Sequence, residues 1–340
     1  MRDLGEFGLI ARLLPLLDAS GPPALVGAGD DAAAWEQPAA VVVASADALV
    51  EGVHFDLALT SWADLGWKSL AVNLSDLAAM GASPQWALVT LGVRPDAPVA
   101  GLEDLYRGLA AVGARYGCRV AGGDTVGVRH ETLIGVTVLG AVPSGEGGTL
   151  LRRDRGRPGD RLAVTGTLGA SAAGLHALRH PGDLPAALLA PLAAAHRRPL
   201  PQVAAGQALR RAGVRCAMDV SDGLLADAAK LGAASGAGVR LAAGRLPLDP
   251  GVRAAFPQRA LAWAAAGGED YQLLFAAPPQ TMDGARRALG DAGVAATEVG
   301  VLTNQPGTVQ LLDEDGREVV LGDAGWDHFA PAPAPAGPGR

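Results

Sequence analysis

The sequence predicts an α/β (or α+β) protein made of two domains, and three observations support that fold class. The chain has 340 residues, which is enough for two domains of about 150 residues each. Apolar, β-rich runs alternate with segments of helical spacing in both halves of the chain. Between the halves, residues 143–160 are dense in Gly, Pro and Arg, which places the domain boundary near residue 150.

Local patterns predict the individual elements. In the first half, short apolar runs bounded by Gly, Pro or charged residues predict strands at 41–47, 86–93 and 132–142. Helical spacing predicts helices at 61–80, with Ser61 as the N-cap, and at 102–116. The second half has predicted strands at 161–166 and 271–276, predicted helices at 170–179, 202–212, 223–235 and 282–291, and a predicted hairpin around Asp315 and Gly316.

These elements define a domain at residues 1–150 and a second domain at residues 151–329. The remaining segment, 330–340, consists of Pro, Ala and Gly with a final Arg. Because this composition buries no apolar surface and forms no regular ladder, the tail is predicted to be disordered.

Composition excludes several classes of protein. The net charge of −7 argues against a nucleic acid or an anionic membrane as partner, since both need concentrated positive charge. The chain has no uninterrupted apolar run of 18 residues, and Asp3, Glu6 and Arg12 interrupt the apolar core of any secretory peptide, so we expect a cytoplasmic protein. Only Lys68 and Lys230 among the 28 basic residues are Lys, a bias that makes an ordinary Arg uninformative.

Five short segments place carboxylates in Gly-rich or small-residue turns. A single Asp in such a turn is most often a helix cap. If the acids of all five segments lie close together they repel one another, because two unit charges 4 Å apart cost about 4 kcal/mol at an effective dielectric of about 20. Mg²⁺ held by carboxylates and substrate phosphates would relieve this repulsion. The acids are Asp30 and Asp31 in GAGDDAA, Asp47, Asp76, Asp124, and Asp219 with Asp222 in DVSDGL.

Two Gly-rich segments could offer backbone N–H groups to phosphate, or could be tight connections: AGGDT around Asp124 and TGTLGAS at 165–171. Arg153 could supply a cation to a phosphoryl group, or could be a solvated linker residue. The sequence lacks a Walker A loop, the kinase triplets HRD and DFG, and the hydrolase motif GxSxG. Cys118 and Cys216 form no CxxC, so the sequence predicts neither a zinc site nor a disulfide framework. GAGDDA matches a dinucleotide fingerprint only weakly, because two acids would face the pyrophosphate.

Read together, these motifs resemble the thiamine-monophosphate kinase family of the aminoimidazole-ribonucleotide synthetase-like superfamily. The resemblance runs from GEFGLIARL at 5–13 through GAGDDAA, VEGVHF, NLSDLAAMGA, AGGDT, RPGD, DVSDGL and GGEDYQLLF to GWDHF at 325–329. It implies transfer of the γ-phosphoryl of ATP to thiamine monophosphate with several Mg²⁺ ions. It also implies a homodimer in which the N-terminal sheets form a barrel, and a C-terminal α/β domain that completes the cleft.

The resemblance assigns roles residue by residue. The family usually has a hydroxyl residue at the position of Ala46, so Ala46 could ligate a metal only through its backbone carbonyl. The linker is irregular, which leaves Arg152 and Arg155 as alternatives to Arg153. The implied catalytic residues are Asp47, Asp124, Arg153 and Asp222; the metal ligands are Asp30, Ser45, Ala46, Asp47, Asp76, Asp124, Asp219 and Asp222; the ATP contacts are Tyr106, Gly123, Asp124, Arg153 and Ser221; and the thiamine-phosphate contacts are His54, Glu269 and Trp326.

Other readings stay open at this point. Another ATP-dependent member of the superfamily, such as aminoimidazole-ribonucleotide synthetase, is the main alternative. Selenophosphate synthetases and hydrogenase-maturation proteins would need an N-terminal or C-terminal Cys that this sequence lacks. A non-catalytic Ca²⁺-binding module is disfavoured because DVSDGLLADAAK does not have EF-hand spacing.

Overall fold

The computed structural model describes residues 25–26, 30–37, 39–144, 149–182 and 184–321. The predicted tail at 330–340, the motif GWDHF with Trp326, and the N-terminal motif at 5–13 lie outside these residues. Within them, two sheets follow one another along the chain, as the sequence predicts for a two-domain α/β protein.

The first half forms a five-stranded sheet in the order β1-β2-β5-β3-β4, in which only β3 and β4 are parallel. Helix α1 packs against this sheet and against α2. Its N-cap is Ser61, whose Oγ accepts a hydrogen bond from the Asp64 N–H at 3.1 Å, as predicted. The elements are β1 Ala33–Gln37, β2 Ala40–Val50, α1 Trp62–Ala79, β3 Ser83–Val93, α2 Val99–Tyr116, β4 Arg119–Gly127 and β5 Leu133–Pro143.

The second half forms a mixed six-stranded sheet in the order β11-β8-β10-β6-β9-β7, with β8 and β11 parallel. Its helices are mostly short and rich in Ala. The elements are β6 Arg161–Thr165, α3 Ala170–Arg179, α4 Ala186–Arg197, α5 Val203–Arg211, β7 Cys216–Val220, α6 Leu224–Ala234, β8 Gly238–Ala242, α7 Pro250–Ala255, α8 Ala260–Ala266, β9 Gln272–Ala277, α9 Pro279–Asp291, β10 Ala296–Thr303 and β11 Val309–Leu312. No helix of the described ranges is long and apolar enough to cross a membrane.

Helix α1 connects the two sheets. Its residues pack on β2 and β5 of the first sheet and on β7 and α5 of the second half. Most of the helix is buried, including the polar residues Lys68, Asn73 and Ser75. A helix buried all round is expected between two packed layers rather than at a surface. Polar groups carried by α1 therefore face the junction between the sheets.

Every predicted strand and helix of the described chain is present, and the predicted hairpin is reduced to a bridge between Leu312 and Glu318 after β11. Several further elements were missed. The AGGDT segment, predicted as a turn, lies inside β4. It forms a strand because β4 pairs in parallel with β3, a contact that local sequence does not reveal. The other unpredicted elements are β1, β7, β8, β10, α4, α7 and α8.

The close approach of β4 to β3 explains why position 123 in β4 is a glycine. A Cβ built on Gly123 would lie 1.8 Å from the Val89 carbonyl oxygen, whereas one on Gly122 would meet nothing within 4 Å. Gly123→Ala is therefore expected to lower the free energy of unfolding by about 3 kcal/mol. Chemical denaturation measures this, with Gly122→Ala as the matched control. Equal effects of the two variants would show that the close approach does not constrain the strand.

Candidate active site

Three carboxylates from separate parts of the chain meet at the junction. Oxygen atoms of Asp31, Asp76 and Asp219 all lie within 4.8 Å of one another. Asp31 precedes β1, Asp76 is in the last turns of α1, and Asp219 is in β7. Hydroxyl groups support two of them: Ser45 Oγ donates to Asp76 Oδ2 at 2.6 Å, and Ser75 Oγ donates to Asp219 Oδ2 at 2.7 Å. We call Asp31, Asp76 and Asp219 the acid cluster.

Burial and mutual repulsion make the ionised acid cluster unfavourable. Burial, then the charges of Asp47 and Asp219, raises the pKa of Asp76 well above its usual value. Burial and the charge of Asp31 do the same to the pKa of Asp219. Burial and Asp31 raise the pKa of Asp30 to about 6. A buried group of hard oxygen donors with these properties fits a divalent cation such as Mg²⁺, which would favour the ionised forms.

These pKa shifts predict how stability depends on pH without metal. A carboxyl group whose folded-state pKa is raised contributes stability that is complete below the unfolded value near 4 and is lost as pH rises through its folded pKa. In EDTA, the melting temperature is therefore expected to fall between about pH 4.5 and pH 7, and Mg²⁺ is expected to remove the share of this decline that comes from Asp30 and the acid cluster. Calorimetry measures both. A melting temperature that rises across this interval in EDTA would contradict the prediction.

Arg153 is part of this acidic region. Its Nε and Nη2 donate to the two carboxylate oxygens of Asp31 at 2.9 and 2.7 Å, and its backbone N–H donates to Asp30 Oδ2 at 3.1 Å. The Arg153 side chain is only 17% exposed, so the reading as a solvated linker residue is wrong. Although burial opposes the charge, Asp31 outweighs it and raises the pKa of Arg153.

The structure corrects the prediction that the acids sit in turns. Asp47 lies within β2, Asp76 within α1, Asp124 within β4 and Asp219 within β7. Of the small neighbours that indicated a turn around Asp124, Gly123 is instead the residue that allows β4 to pack closely against β3. Asp30, Asp31 and Asp222 lie outside regular helices and strands, as predicted.

Not every predicted ligand reaches the cluster. The Asp47 N–H donates to Asn73 Oδ1 at 2.9 Å, which places Asp47 beside α1, while Ala46 is exposed on β2. Asp124 is exposed on β4, and its Oδ1 accepts from the Thr125 N–H. The pairing register aligns Asp47, Val136, Val89 and Gly123 across the sheet, so β4 lies three strand spacings, roughly 14 Å, from β2.

The DVSDGL loop is organised by a carboxylate that the motif analysis missed. Asp227 Oδ2 accepts the backbone N–H groups of Ser221 at 2.9 Å and of Asp222 at 3.0 Å. Lys230 Nζ pairs with Asp227 Oδ1 at 2.9 Å and also with the Asp222 carboxylate. Burial raises the pKa of Asp227 to about 6. Its spacing of five residues after Asp222, at the start of α6, was the available sequence signal.

The TGTLGAS segment uses its N–H groups internally. The Asp270 carboxylate accepts from the Gly169 N–H at 2.6 Å and from the Ser171 N–H at 3.1 Å, at the beginning of α3. Burial raises the pKa of Asp270 to about 7. The N–H groups that could have bound a phosphate are thus already bonded to the Asp270 carboxylate. Of the two alternatives for this segment, the structure favours the tight connection.

The remaining predicted residues lie on separate elements. His54 is half-buried, and its Nδ1 accepts from the Val50 N–H at 3.0 Å. Tyr106 is 42% exposed on α2. Glu269 follows a Gly-Gly turn, and its N–H donates to the Ser221 carbonyl at 2.7 Å, which places it beside the DVSDGL loop. Tyr271, a residue not predicted, is buried, and burial and the charges of Glu269 and Asp47 raise its pKa.

Both halves of this architecture match a known class. Sequence profiles described as the AIR synthase related protein N-terminal and C-terminal domains match residues 29–142 and 157–311. The two mixed sheets and the acid cluster at their junction thus define an AIR synthase related protein.

Individual relatives narrow the class. The thiamine-monophosphate kinase of Escherichia coli is 40% identical over 329 residues, which cover 96% of this chain and 98% of the relative. The structure of AaThiL complexed with AMPPCP and TMP has 31% identity and a TM-score of 0.83, covering 97% of this chain and 98% of that one. The thiamine-monophosphate kinase of Stenotrophomonas maltophilia has 35% identity and a TM-score of 0.74, covering 93% and 98%. The chain belongs to the thiamine-monophosphate kinase family.

Proposed function

We propose that this protein transfers the γ-phosphoryl group of ATP to thiamine monophosphate, giving thiamine diphosphate and ADP. The observation that carries the proposal is the buried acid cluster at the domain junction of a chain that is 40% identical to a thiamine-monophosphate kinase over nearly its full length. A solved relative of high structural similarity was complexed with AMPPCP and TMP. The expected location is the cytoplasm.

The acid cluster provides the carboxylates for Mg²⁺. Asp31, Asp76 and Asp219 of the cluster, together with the adjacent Asp30, would hold the ions, and Ser45, Asp47 and the Ala46 carbonyl would lie at the margin of the site. Bound Mg²⁺ would supply charge neutralisation between two phosphate-bearing substrates. Asp222 is paired with Lys230 through Oδ2 in this structure, so its other carboxylate oxygen would be the one offered to an ion.

The acceptor needs little activation by the protein. A phosphate oxygen is already a competent nucleophile near neutral pH, which fits a site built from acids and Arg153 rather than around a His or Lys base. We propose direct in-line transfer without a phosphoenzyme, with Arg153 assisting the nucleotide phosphates. Stereochemical analysis with chiral phosphorus is expected to show inversion, and net retention would contradict a single displacement.

Substrate contacts divide between the two halves. Residues 1–150 would bind ATP and Mg²⁺ and carry the dimer contact, and residues 151–329 would complete the cleft. The proposed catalytic residues are Asp47, Asp124, Arg153 and Asp222, the ATP contacts include Tyr106, Gly123, Asp124 and Ser221, and the thiamine-phosphate contacts are His54, Glu269 and Trp326.

A homodimer with a barrel-like pair of sheets is also proposed. β1 pairs with β2 only as far as Ala44, so within the described ranges the outer edge of β2 beyond it, like that of β4, has no strand beside it. Trp86, Leu88 and Val126 are exposed on the same sheet. If the β2 edge of one copy pairs with the β4 edge of a second copy, both edges are covered and Asp124 of the partner subunit lies beside β2. Sedimentation is expected to show a dimer, and a monomer at micromolar concentration would contradict it.

The central experiment measures ADP release from ATP. We expect ADP release with thiamine monophosphate and Mg²⁺, and only background release with unphosphorylated thiamine or in EDTA. Absence of ADP release by folded protein would contradict the proposal. The aminoimidazole-ribonucleotide synthetase reaction would then be assayed on the same sample.

A further inference from the structure

A buried lysine holds the carboxylate of Glu269. Lys68 Nζ lies 2.7 Å from Glu269 Oε1, and His196 Nδ1 lies 3.2 Å from Glu269 Oε2. Ser171 Oγ lies 3.0 Å from the same His196 nitrogen. Lys68 is on α1, His196 is near the end of α4, and Glu269 follows α8. Three elements thus converge on one carboxylate, which we call the Glu269 clamp.

A ligand can reach only one member of the clamp. The side chain of Lys68 is 5% exposed and that of His196 is 11% exposed, whereas that of Glu269 is 29% exposed. Each clamp contact takes one position on a different carboxylate oxygen, and each oxygen offers about two lone-pair positions. Glu269 can therefore accept further hydrogen bonds from a ligand in the cleft, while Lys68 stays behind it.

The clamp is close to electrically neutral. Burial alone would raise the pKa of Glu269, but the Lys68 charge and the His196 hydrogen bond outweigh it and lower that pKa to about 2. Burial, together with the Lys68 charge, lowers the pKa of His196, so the ring is neutral at pH 7. The positive charge of the Lys68 ammonium and the negative charge of the Glu269 carboxylate therefore cancel. Glu269 is thus suited to accept a hydrogen bond from a neutral donor rather than to act as the counter-ion of a cationic ring.

The backbone of Glu269 is in a conformation that needs support. Its φ is 67°, in the left-handed region that non-glycine residues rarely adopt. The Glu269 N–H is held by the Ser221 carbonyl, and the Tyr271 N–H by the Val220 carbonyl. These bonds aim the side chain from the turn, and Lys68 fixes its far end. Its orientation is therefore determined from both ends.

The basic composition of the chain gives independent support. Lys occurs only at positions 68 and 230 among 28 basic residues, and both lysines are paired with carboxylates: Lys68 with Glu269, and Lys230 with Asp222. Arg would bring a planar fork of five N–H donors into a closed space where one carboxylate oxygen needs one donor. The requirement at position 68 is thus for a compact ammonium group.

We propose that Lys68 is a positioning residue for recognition of the phosphate acceptor: it fixes Glu269 to accept a hydrogen bond from the exocyclic amino group on the acceptor's pyrimidine ring. The inference rests on the proposed function. It assigns Glu269 to the pyrimidine amino group instead of the thiazolium charge. A site built around such a bond discriminates against an analogue that lacks the donor, because its acceptor is then left unpaired.

The test uses Lys68→Met and oxythiamine monophosphate, in which an oxygen replaces the pyrimidine amino group. Wild-type protein is expected to prefer thiamine monophosphate over this analogue at least tenfold in kcat/KM. Lys68→Met is expected to reduce the preference below threefold and to raise KM for thiamine monophosphate about tenfold, with KM for ATP within twofold. Equal changes in both KM values, or an unchanged preference, would overturn the proposal.

Two further variants separate positioning from a general structural effect. In a Glu269→Gln background, Lys68→Met is expected to change KM for thiamine monophosphate less than twofold, because it acts through Glu269. A full tenfold effect in that background would overturn the proposal. Arg161→Met breaks an ion pair with Glu298 on β10, outside the cleft, and is expected to leave both KM values unchanged.

Folding is checked by thermal melting of each variant. If Lys68→Met does not fold, Lys68→Arg takes its place, because it keeps the charge. Its larger guanidinium is expected to raise KM for thiamine monophosphate at least threefold at constant KM for ATP, and an unchanged KM would overturn the proposal. Failure of the wild-type protein to phosphorylate thiamine monophosphate would count against the proposed function, whereas an active wild type with an unaffected Lys68 variant counts against this inference alone.

Discussion

Replacing Asp219 by Asn is expected to reduce kcat about a thousandfold while making the metal-free protein more stable. Asp219 is 3% exposed and lies in β7 within the acid cluster. Its raised pKa means that burial and the charge of Asp31 oppose its ionised form in the folded state. Asn removes the charge and keeps an oxygen that can accept the Ser75 hydroxyl. The free energy of unfolding in EDTA at pH 7.5 is expected to rise by about 1–3 kcal/mol.

Chemical denaturation and steady-state kinetics measure the two effects of Asp219→Asn. Asp104→Asn, which removes an exposed carboxylate paired with Arg107 on α2, is the matched control and is expected to change neither quantity measurably. Lower stability of Asp219→Asn in EDTA would mean that the cluster is not strained by its own charge. A kcat within tenfold of wild type would remove Asp219 from the catalytic metal site.

Replacing Arg153 by Met is expected to lower the free energy of unfolding by about 3 kcal/mol in EDTA and to abolish most activity. The Asp31 side chain is fully buried, and Arg153 bonds both of its carboxylate oxygens. Removing the guanidinium leaves that carboxylate without its cation. Mg²⁺ at the acid cluster would compensate part of the charge and would stabilise the folded state by binding to it. The loss of stability is therefore expected to be smaller in about 10 mM Mg²⁺ than in EDTA.

Arg155→Met is the matched control for Arg153. Its side chain is 54% exposed and pairs only with the neighbouring Asp154 at 3.3 Å among the contacts of the described chain. An exposed ion pair of this kind contributes less than about 1 kcal/mol. Stability and kcat of Arg155→Met are therefore expected to match wild type. Equal losses in the two variants would show that Arg153 has no special place among the linker arginines.

The sequence predicted the elements whose stability is local. β5 has an apolar, β-rich run, and α1 has helical spacing after the N-cap Ser61; the structure confirms both. β4 was missed because its Gly-rich sequence is a strand only beside β3. β7 was missed because its five residues, Cys216–Val220, include a buried Asp and are too short for periodicity to indicate a strand. Tertiary pairing decides both cases, and tertiary pairing is not visible in a local window.

The candidate site shows the same limit. Motifs indicated Asp30, Asp76 and Asp219, which come from segments far apart in sequence. They did not separate Asp31 from Asp30, since both fit the same GDD motif, and only the geometry shows that Asp31 enters the cluster. Asp227, Lys68 and His196 carry no motif of their own. His196 contacts Ser171, 25 residues away in sequence, and Lys68 contacts Glu269, 201 residues away. Asp227 acts through the shape of the DVSDGL loop. A local sequence pattern encodes none of these contacts.

The most direct test of the account is phosphorus NMR of the complete reaction. Wild-type protein, ATP, Mg²⁺ and thiamine monophosphate are expected to give thiamine diphosphate and ADP in equal amounts, with the thiamine monophosphate signal falling at the same rate. The same mixture with Asp219→Asn is expected to stay unchanged over that time. Consumption of ATP without thiamine diphosphate, or full conversion by Asp219→Asn, would contradict the claim that the acid cluster directs phosphoryl transfer to thiamine monophosphate.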